Sequence, residues 1–475
     1  MVFSWSLLYL ISEWLIRIVM IPTVMRRRRP SAATAWLLVI FFQPWIGLAL
    51  YLLLGKQRLP LRRIKRHERV SERMRKLVAL AVEKPLIVKP PLEPQQQALV
   101  QLAERLGDKA ILGGNKGELL SDTDEVIQRL ITDIDAATHH VHLLYYMFAD
   151  DQTGHRIAGA LARAVQRGVT CRVLADDVGS WRMFRGLGAQ MKRQGIHLHP
   201  MLPVNIFRRG LARMDLRNHR KLAVIDGRIA YSGSQNIVNA DYGHKNLVWH
   251  DVTARLRGPT VLQLQGIFTE DWFFETGETL EDPGLFPTPE SNGRIMVQPL
   301  PSGPTYPIES YHRLVVTAIY VAQRNIIITS PYFVPDEALL QALEVAVQRG
   351  VKVELIVPQR SDQILAGAAA RAYYGELLEC GVDIYLHTNG LLHSKTMTID
   401  DSMALVGSGN FDIRSFYLNF ELNLLAYGAE VTAGLRFLQR NYMNDAVQLT
   451  LEKWNQRSRL RRILDDSAKL LSPLL

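Results

Sequence analysis

Two stretches of the chain, NHRKLAVIDGRIAYSGSQN at 218–236 and LHSKTMTIDDSMALVGSGN at 392–410, share one spacing of reactive residues. Both follow the pattern H-x-K-x(4)-D-x(6)-G-S-x-N, offset by 174 residues at every matched position. A lone H-x-K would indicate only a solvated strand edge, but six fixed positions repeated in the same order are a specific signal. The pair of motifs therefore predicts a duplicated site.

The spacing within each motif indicates how its residues are arranged. Side chains alternate across a strand, so the histidine and the lysine of H-x-K point to one face. The strand then turns at the aspartate, and a second strand returns to a small-residue end where serine and asparagine can donate hydrogen bonds to a phosphate. The matched residues are His219, Lys221, Asp226, Gly233, Ser234 and Asn236 in the first motif and His393, Lys395, Asp400, Gly407, Ser408 and Asn410 in the second.

The motifs lie within a longer internal repeat. VIQRLITDIDAATHHVHLLYYMF (126–148) matches HRLVVTAIYVAQRNIIITSPYF (312–333), and AVQRGVTCRVLADD (164–177) matches AVQRGVKVELIVPQ (346–359). Each block is typical of a helix followed by a turn and an apolar strand. This alternation predicts an α/β fold, and the fixed order of the blocks predicts two similar domains packed face to face.

Positive charge is concentrated near the N-terminus. Residues 1–94 hold 17 Lys and Arg against 5 Asp and Glu, which leaves a net charge of −2 for residues 95–475. Proteins that bind nucleic acid usually carry positive charge on the binding domain, so this distribution argues against a nucleic-acid partner. A basic cluster beside apolar segments instead indicates anionic lipid.

Two apolar runs precede this basic cluster. The run 35–54 has no charged residue and as a helix would span ~30 Å, so we predict a transmembrane helix over 33–54, kinked at Pro44. The run 4–24 includes one acidic and one basic residue, and it is either a second transmembrane helix, which we favour, or an interfacial helix.

The expected domain order follows from these segments. We predict two transmembrane helices within 1–55, a basic juxtamembrane segment and proline-rich linker at 56–94, a first α/β domain at 95–295, and a second at 296–475 ending in a C-terminal helix. Ten basic residues in 56–76, against four between the apolar runs, favour cytoplasmic placement of the two α/β domains.

These motifs resemble the phospholipase D superfamily, whose members carry two of them. MDLRNHRK (214–221), TSPYFVP (329–335), GLLHSK (390–395), NFDIRSFYLNFEL (410–422) and the paired N-terminal apolar runs resemble bacterial cardiolipin synthases over nearly the whole chain. The resemblance implies two phospholipase D-type domains packed as a pseudo-dimer behind N-terminal transmembrane helices. It also implies a multi-pass protein of the bacterial inner membrane.

The resemblance further implies phosphatidyl transfer between two phosphatidylglycerol molecules, giving cardiolipin and glycerol without a metal or other cofactor. His219 is implied to be the nucleophile that forms a phosphohistidine intermediate, and His393 the general acid and then base. Lys221 and Lys395 would neutralise the phosphate. The assignment of the nucleophile to the first motif is by analogy, because the sequence is symmetric.

Further residues receive roles from the motif and the resemblance. Phosphate donors are expected to be Ser234, Asn236, Ser408 and Asn410. The motif carboxylates Asp226 and Asp400 are expected to fix turns. Two more carboxylates are implied to orient the histidines through the other ring nitrogen: Glu421, 28 residues after His393, and Asp251, 32 residues after His219.

Several alternatives stay open on the sequence. A hydrolytic phospholipase D or another phosphatidyltransferase differs only in acceptor or headgroup, whereas a nuclease conflicts with the charge distribution. A non-enzymatic scaffold would be expected to lose a motif histidine or lysine. Oligomeric state is undetermined. The arginines before and within the first motif could bind lipid headgroups or form a solvated face, and the histidines at 139, 140 and 142 are expected to cap a buried strand.

Overall fold

The computed structural model describes residues 5–26, 30–55, 61–81, 86–204, 215–243, 247–306 and 309–469. The chain forms two units. The N-terminal unit comprises residues 1–64 and 204–216, and the main unit comprises 65–203 and 217–475.

The strands all lie in the main unit. They are β1 Leu112–Leu120, β2 His140–Tyr145, β3 Thr170–Asp176, β4 His197–Met201, β5 Lys221–Ile225, β6 Ile229–Gly233, β7 Trp249–His250, β8 Thr253–Arg257, β9 Ile295–Ser302, β10 Asn325–Thr329, β11 Phe333–Val334, β12 Lys352–Pro358, β13 Asp383–His387, β14 Leu391–Leu392, β15 Thr396–Ile399, β16 Met403–Gly407, β17 Phe411–Asp412, β18 Glu421–Tyr427 and β19 Ala446–Leu449.

The described helices are numbered in chain order. They are α1 Trp5–Met25, α2 Pro30–Phe42, α3 Pro44–Leu54, α4 Leu61–Ala81, α5 Pro94–Gly107, α6 Thr123–Asp135, α7 Gln152–Gln166, α8 Trp181–Arg185, α9 Leu187–Arg193, α10 Thr260–Thr276, α11 Ser310–Val321, α12 Glu337–Gln348, α13 Ile364–Glu379, α14 Ile413–Tyr417, α15 Ala429–Asn444, α16 Leu451–Asn455 and α17 Arg459–Lys469.

The main sheet records the internal duplication strand by strand. One half has the order β1-β8-β6-β5-β2-β3-β4, and the other has the matching order β9-β18-β16-β15-β10-β12-β13. The halves join where β1 pairs with β9, and β19 is added at one outer edge beside β13. The predicted α/β fold with two similar domains is thus confirmed.

Equivalent helices of the two repeats begin in the same way. The Asp151 carboxylate accepts a hydrogen bond from the Gly154 N–H at the start of α7, and the Asp336 carboxylate accepts from the Leu339 N–H at the start of α12. Each cap satisfies an N–H group that the first helical turn leaves without an intrahelical partner. Because the apolar faces of both helices are buried, these local signals and the core specify the same element.

The boundary between the two repeats differs from the one predicted. The range 95–295 was expected to form the first domain, but Leu99 and Ala103 of α5 are fully buried in the core of the second repeat, with Leu314 and Ala318 of α11. Helix α5 therefore completes the second repeat, and the first repeat begins at β1. The predicted C-terminal helix is in fact α15, α16 and α17, with β19 between the first two.

The N-terminal unit is built from three apolar helices. Trp36 and Tyr51 pack edge to face, with ring centroids 5.3 Å apart, and a Cβ at Gly47 would lie only 2.6 Å from the Ile40 Cα. These two pairs run in opposite directions along the chain, so α2 and α3 form an antiparallel hairpin whose turn is at Gln43. The absence of a side chain at Gly47 permits the close approach.

The hairpin also contacts α1. The Arg17 side chain donates to the Phe41 carbonyl at 3.2 Å and pairs with Glu13 at 3.4 Å. Phe41 lies in the last turn of α2, where carbonyl groups lack intrahelical partners, so Arg17 satisfies a group that apolar surroundings would leave unpaired. The tip of the hairpin thus lies at the middle of α1.

The structure changes the expectation for 33–54. The predicted single helix is broken at Gln43 into α2 and α3, because Pro44 has no N–H to donate and its ring clashes with the preceding turn. By length, α2 spans about 20 Å and α3 about 16 Å, each short of a bilayer core. Among the described helices, α1 is the one long and apolar enough to cross a membrane, with a mean hydropathy of 1.7.

Candidate active site

The two histidine motifs meet because the repeats exchange short segments. Strand β7 of the first repeat pairs in parallel with β14 of the second, and Asn218 forms an isolated bridge to Phe420. As a result the His219 N–H donates to the Phe420 carbonyl at 2.8 Å, and the His393 N–H donates to the His250 carbonyl at 2.9 Å. Each histidine backbone is therefore held by the other repeat.

The carboxylates that hold the imidazole rings also come from the opposite repeat. His219 Nδ1 lies 3.3 Å from Glu421 Oε2, and His393 Nδ1 lies 2.7 Å from Asp251 Oδ1. The sequence spacing had suggested that each carboxylate orients the histidine preceding it in its own repeat. The segment exchange instead joins each histidine to the carboxylate of the other half.

Hydrogen bonding fixes the tautomer of both rings. His219 Nδ1 also lies 3.2 Å from the Ser408 carbonyl, which can only accept, so Nδ1 carries the proton. The contact of His393 Nδ1 with the ionised Asp251 requires the same tautomer. In the neutral state both Nε2 atoms therefore present a lone pair, as a nucleophile or a general base needs.

The motif lysines lie beside these rings and are almost fully buried. Lys221 Nζ donates to the His219 carbonyl at 2.6 Å, and Lys395 Nζ donates to the His393 carbonyl at 2.5 Å. One ammonium proton is used in each contact, which leaves others for an anion. Lys221 Nζ also lies 5.4 Å from the Tyr146 ring centroid, within cation–π range.

Burial controls the charge states of this site. It lowers the pKa of His393 to about 4 despite Asp251, and it also lowers the pKa of His219, with Lys221 acting in the same direction. Burial lowers the pKa of Lys395 to about 7 and that of Lys221 to about 8. An arriving anion would be stabilised by the charged lysines and would raise all four pKa values.

The carboxylates stay ionised in spite of burial. Burial alone would raise the pKa of Asp251, but His393 and Lys395 outweigh it and hold that pKa below its usual range. For Glu421 the opposing groups are His219 and Lys221, and its pKa is also lowered. Below about pH 7, where both lysines are charged, the two carboxylates thus balance two ammonium groups.

The motif serines contact these carboxylates. Ser408 Oγ donates to Glu421 Oε2 at 2.5 Å, and Ser234 hydrogen-bonds Asp251 as well as the Val252 backbone. Both hydroxyls were expected to donate to phosphate. In this structure they position the groups that orient the histidines.

The motif asparagines are buried and contact the protein. Asn236 Oδ1 accepts from the Met147 N–H at 3.1 Å, and Asn410 Nδ2 donates to Asp412 Oδ2 at 3.1 Å. Asn410 Oδ1 has no hydrogen-bond partner among the described residues. These contacts stabilise the chain just after β6 and β16, the second strand of each motif, close to the lysines.

The motif aspartates lie at the far end of the strands. Asp226 and Asp400 adopt positive φ angles of 52° and 50°, and each carboxylate accepts three backbone N–H groups, from 138–140 and 323–325 respectively. The five residues of β5 separate Asp226 from Lys221 by about 16 Å. Neither aspartate reaches the histidines, and both anchor turns.

The arginines near the first motif are placed in two ways. Arg217 pairs with Asp176 at 3.1 Å, and Arg220 pairs with Asp271 at 2.5 Å while donating to the Glu421 and Ser302 carbonyls of the second repeat. Both side chains are buried, and Arg220 ties the two repeats together. Arg208, Arg209 and Arg213 lie outside the described residues.

Three aromatic side chains at the site were not identified from the sequence. The Tyr146 ring centroid lies 4.8 Å from that of His219, and the Trp249 centroid lies 5.0 Å from that of His393. Tyr242 stacks on Trp249 at 4.2 Å. Tyr146 matches Pro331 in the repeat, so the internal alignment did not mark it, whereas Trp249 lies two residues before Asp251.

The histidines near the start of β2 form a separate network. His140 and His142 are buried and both contact Gln265, and His139 Nδ1 lies 2.8 Å from His140 Nδ1. Burial lowers the pKa of His140 to about 4, so this ring is neutral. Within the described ranges, no group of three or more His, Cys, Asp or Glu side chains is arranged to hold a metal ion.

The chain is similar in sequence to proteins of one family. The profile of a family described as cardiolipin synthase, PLD-like domain, matches residues 130–272 and 315–437, and a phospholipase D-nuclease N-terminal profile matches 14–56. Cardiolipin synthase A of Pectobacterium atrosepticum is 37% identical over 100% of this chain and 99% of that protein. Its counterpart in Yersinia pestis is 36% identical with the same coverage.

A solved structure shares the fold. The phosphatidylserine synthase of Haemophilus influenzae superposes with a TM-score of 0.63 at 16% sequence identity, covering 81% of this chain and 100% of that one. This likeness supports the arrangement of the two repeats.

Proposed function

The chain belongs to the cardiolipin synthase family, and from that membership we propose that it joins two phosphatidylglycerol molecules into cardiolipin with release of glycerol. The observation that carries the chemistry is the pair of imidazoles, each fixed as the Nδ1–H tautomer by an acceptor from the other repeat. Two such rings on either side of a phosphodiester can attack it and serve its leaving group. Neither repeat alone supplies both.

In the first half-reaction, His219 Nε2 attacks the phosphorus of one phosphatidylglycerol. A P–N bond forms, the bond from phosphorus to the headgroup glycerol oxygen breaks, and His393 gives its Nε2 proton to that oxygen. His219 is suited to attack because burial lowers its pKa and keeps it neutral. His393 is suited to carry the proton because its 2.7 Å contact with Asp251 stabilises an imidazolium.

Substrate would counteract the low pKa of His393. A phosphodiester held by Lys221 and Lys395 would place a negative charge beside the ring and favour its protonated form. The lysines would also stabilise the charge that develops on the phosphoryl oxygens during displacement. Substrate binding would thus prepare the acid.

In the second half-reaction, His393 takes a proton from a headgroup hydroxyl of a second phosphatidylglycerol. That oxygen attacks the phosphorus, the P–N bond to His219 breaks, and cardiolipin leaves with both histidines restored. Water attacking instead would give phosphatidic acid, which is the hydrolytic alternative.

The experiment that tests this function uses the full-length protein in vesicles of phosphatidylglycerol in H₂¹⁸O. Mass spectrometry should find cardiolipin and glycerol in equal amounts, with little ¹⁸O-labelled phosphatidic acid. His219→Ala serves as the inactive control. Labelled phosphatidic acid as the main product would identify a hydrolase, and no lipid product would refute the proposal.

We also propose how the chain is placed in the bacterial inner membrane. Helix α1 would cross the bilayer, while the α2–α3 hairpin would enter from the side where α1 ends and return to it. Its helices are too short to cross alone, and its tip lies at Arg17, eight residues or about 12 Å from the end of α1.

This placement puts both basic clusters of the N-terminal region on the same side of the membrane. With two crossings, the four arginines 26–29 and the ten basic residues of 56–76 would flank opposite leaflets. With a re-entrant hairpin both clusters lie on one side, and basic segments prefer the cytoplasm. The catalytic domains would then be cytoplasmic, and the chain would cross the membrane once.

A further inference from the structure

An exposed apolar patch lies on the second repeat, on α13 and α17. Leu460, Ile463 and Leu464 of α17 are 68%, 61% and 59% exposed, and Ile364 at the start of α13 is 84% exposed. Positions 460, 463 and 464 have the i, i+3, i+4 spacing of one helix face. Surface leucines are common singly, but a grouped apolar face indicates a binding surface.

The two helices lie side by side and point in the same direction. Arg371 of α13 pairs with Asp465 of α17 at 3.0 Å, and Glu376 pairs with Lys469 at 3.4 Å. Leu460 therefore lies near the first turn of α13, level with Ile364 and Leu365. The exposed side chains of both helices form one patch, which we call the α13–α17 face.

The α13–α17 face borders the site. Helix α13 follows the carboxyl end of β12, and in the loop between them Asp362 accepts a 2.5 Å hydrogen bond from the Tyr332 hydroxyl. Asp362 also acts electrostatically on Tyr242, which stacks on Trp249 beside His393. A surface covering this face would thus adjoin the entrance to the histidines.

Cations flank the apolar side chains. Arg459, Arg461 and Arg462 are exposed, and no ion pair engages them within the part of the chain that the structure describes. The nearby acid Asp465 is buried and already paired with Arg371 and Arg457. Arg462 also donates to the Asn455 carbonyl, and Asp466 is an exposed acid on the same helix. Three exposed arginines against this one exposed acid leave positive charge beside the apolar side chains. This combination matches an anionic lipid surface, where apolar side chains enter the acyl boundary and arginines contact phosphates.

The first repeat has a similar feature at the equivalent place. Helix α8 follows the carboxyl end of β3, and its first residue, Trp181, is half exposed with the Arg182 and Arg185 guanidinium groups 5.4 and 5.0 Å from its ring centroid. Ser180 donates to the Tyr146 carbonyl, which ties this segment to the ring beside His219. Tryptophan with arginines is typical of a membrane interface.

We propose that the α13–α17 face, with Trp181 as its counterpart, docks the mouth of the active site onto an anionic phospholipid bilayer. The inference rests on the proposed function in one respect, since a mouth held at the lipid surface matters for lipid substrates. Docking would let a headgroup reach the histidines with its acyl chains still largely in the bilayer.

Depth measurement tests the docking directly. The full-length protein is first freed of its native cysteines by Cys171→Ala and Cys380→Ala. A nitroxide spin label is then attached to the new cysteine of Ile463→Cys, and the protein is placed in bilayers containing phosphatidylglycerol. Collisions with O₂ should exceed those with a polar nickel complex, as in the acyl region. Phe437→Cys is the matched control, because Phe437 is 70% exposed but follows Arg436, which bonds the Asp400 carbonyl at the far strand end. An aqueous signal at both positions would overturn the proposal, as would spin–spin broadening at 463 in detergent, which would indicate a second copy.

A kinetic arm separates docking from chemistry. The triple variant Leu460→Gln, Ile463→Gln, Leu464→Gln changes exposed side chains, so its thermal midpoint should match that of the parent. Its apparent KM for vesicular phosphatidylglycerol should rise about tenfold or more, with monomeric short-chain phosphatidylglycerol turned over as by the parent. An unchanged KM for vesicles would refute docking and leave the proposed function intact. Inactivity of the parent on both substrates would refute the proposed function, while the depth measurement would still decide docking.

Discussion

Asp251 of the first repeat holds the imidazole of His393 in the second through a 2.7 Å hydrogen bond, in a site where both side chains are buried. With the matching pair of His219 and Glu421, this contact makes the active centre a product of both repeats. Neither half could orient its own histidine if the other were displaced. The catalytic unit is therefore the pair of domains.

This contact predicts the effect of Asp251→Asn. An amide can accept from His393 Nδ1 but cannot stabilise an imidazolium, so kcat should fall by about 10²- to 10⁴-fold with the fold retained. Cardiolipin formation by mass spectrometry measures it. Asp282→Asn is the matched control, since Asp282 meets His139 at 3.4 Å on the surface. Equal activities of the two variants would contradict the proton-carrying role of His393.

The two histidine roles can be separated by leaving-group chemistry. His219→Ala and His393→Ala should each abolish turnover of phosphatidylglycerol, and the double variant should be no worse than either. With phosphatidyl-p-nitrophenol the leaving group needs no proton, so His393→Ala should still release one equivalent of nitrophenolate and carry phosphatidyl on His219. A burst in His219→Ala, and none in His393→Ala, would reverse the assignment.

The sequence predicted the parts of the site that are local to each repeat. The two strands of each motif and the turn at Asp226 follow from periodicity and turn chemistry within one motif, although His219, which was predicted to lie in the first strand, comes two residues before β5. The partners of the histidines did not follow. Spacing along the chain suggested that Asp251 contacts His219. The pairing of β7 with β14, which the spacing does not reveal, places Asp251 against His393 instead.

Two other differences have physical reasons of the same kind. Serine at a strand end can donate to a ligand or to a neighbouring carboxylate, and the choice of Glu421 by Ser408 depends on a strand 13 residues away. Hydropathy showed that 35–54 is apolar, but it could not show that Pro44 separates two helices that pack on each other. Packing between distant segments decided the first difference, and Pro44 together with the contact of α2 with α3 decided the second.

The pKa values of the two lysines predict that kcat/KM falls at alkaline pH. A lysine loses its charge above its pKa, so the value of about 7 for Lys395 implies that kcat/KM for phosphatidylglycerol declines above pH 7. In Lys395→Arg the cation persists, and the decline should move toward pH 8, where Lys221 titrates. Lys352→Arg, at a surface lysine paired with Glu354, should leave the profile unchanged. A flat profile from pH 7 to 9 would contradict the lysine assignment.

The motif aspartate at 226 should matter for stability rather than chemistry. Asp226→Ala removes the acceptor of three backbone N–H groups and places alanine at a φ of 52°, so it should lose about 1–3 kcal/mol of stability. Asp226→Asn keeps one acceptor oxygen and tolerates this φ, so its thermal midpoint should fall less. Folded protein of both variants should retain kcat within a few-fold. A loss of kcat as large as in His219→Ala would show a role at the phosphate.

The re-entrant hairpin gives the topology a sharp test. Single cysteines are placed at Arg28 and Gln57, on either side of residues 30–54, in full-length protein with Cys171→Ala and Cys380→Ala. If 30–54 enters and leaves the bilayer on one face, a membrane-impermeant maleimide should label both positions in inverted vesicles and neither in spheroplasts. Two crossings would instead give opposite patterns, because one position would lie outside.

Arg17 supplies a second measurement on the same hairpin. Its guanidinium bonds the Phe41 carbonyl and Glu13, so Arg17→Leu leaves a carbonyl and a carboxylate without that donor in apolar surroundings. Since unpaired polar groups are unfavourable there, the α2–α3 turn should loosen, and a cysteine at Gln43 should become more reactive to a permeant maleimide than in the parent. Arg17→Lys should restore part of the protection of the cysteine at position 43, because the ammonium can still pair with Glu13. It should not restore all of it, because an ammonium lacks the planar guanidinium that reaches both Glu13 and the Phe41 carbonyl. Equal reactivity in all three proteins would show that Arg17 does not hold the tip, and the single-crossing topology would then rest on the labelling pattern alone.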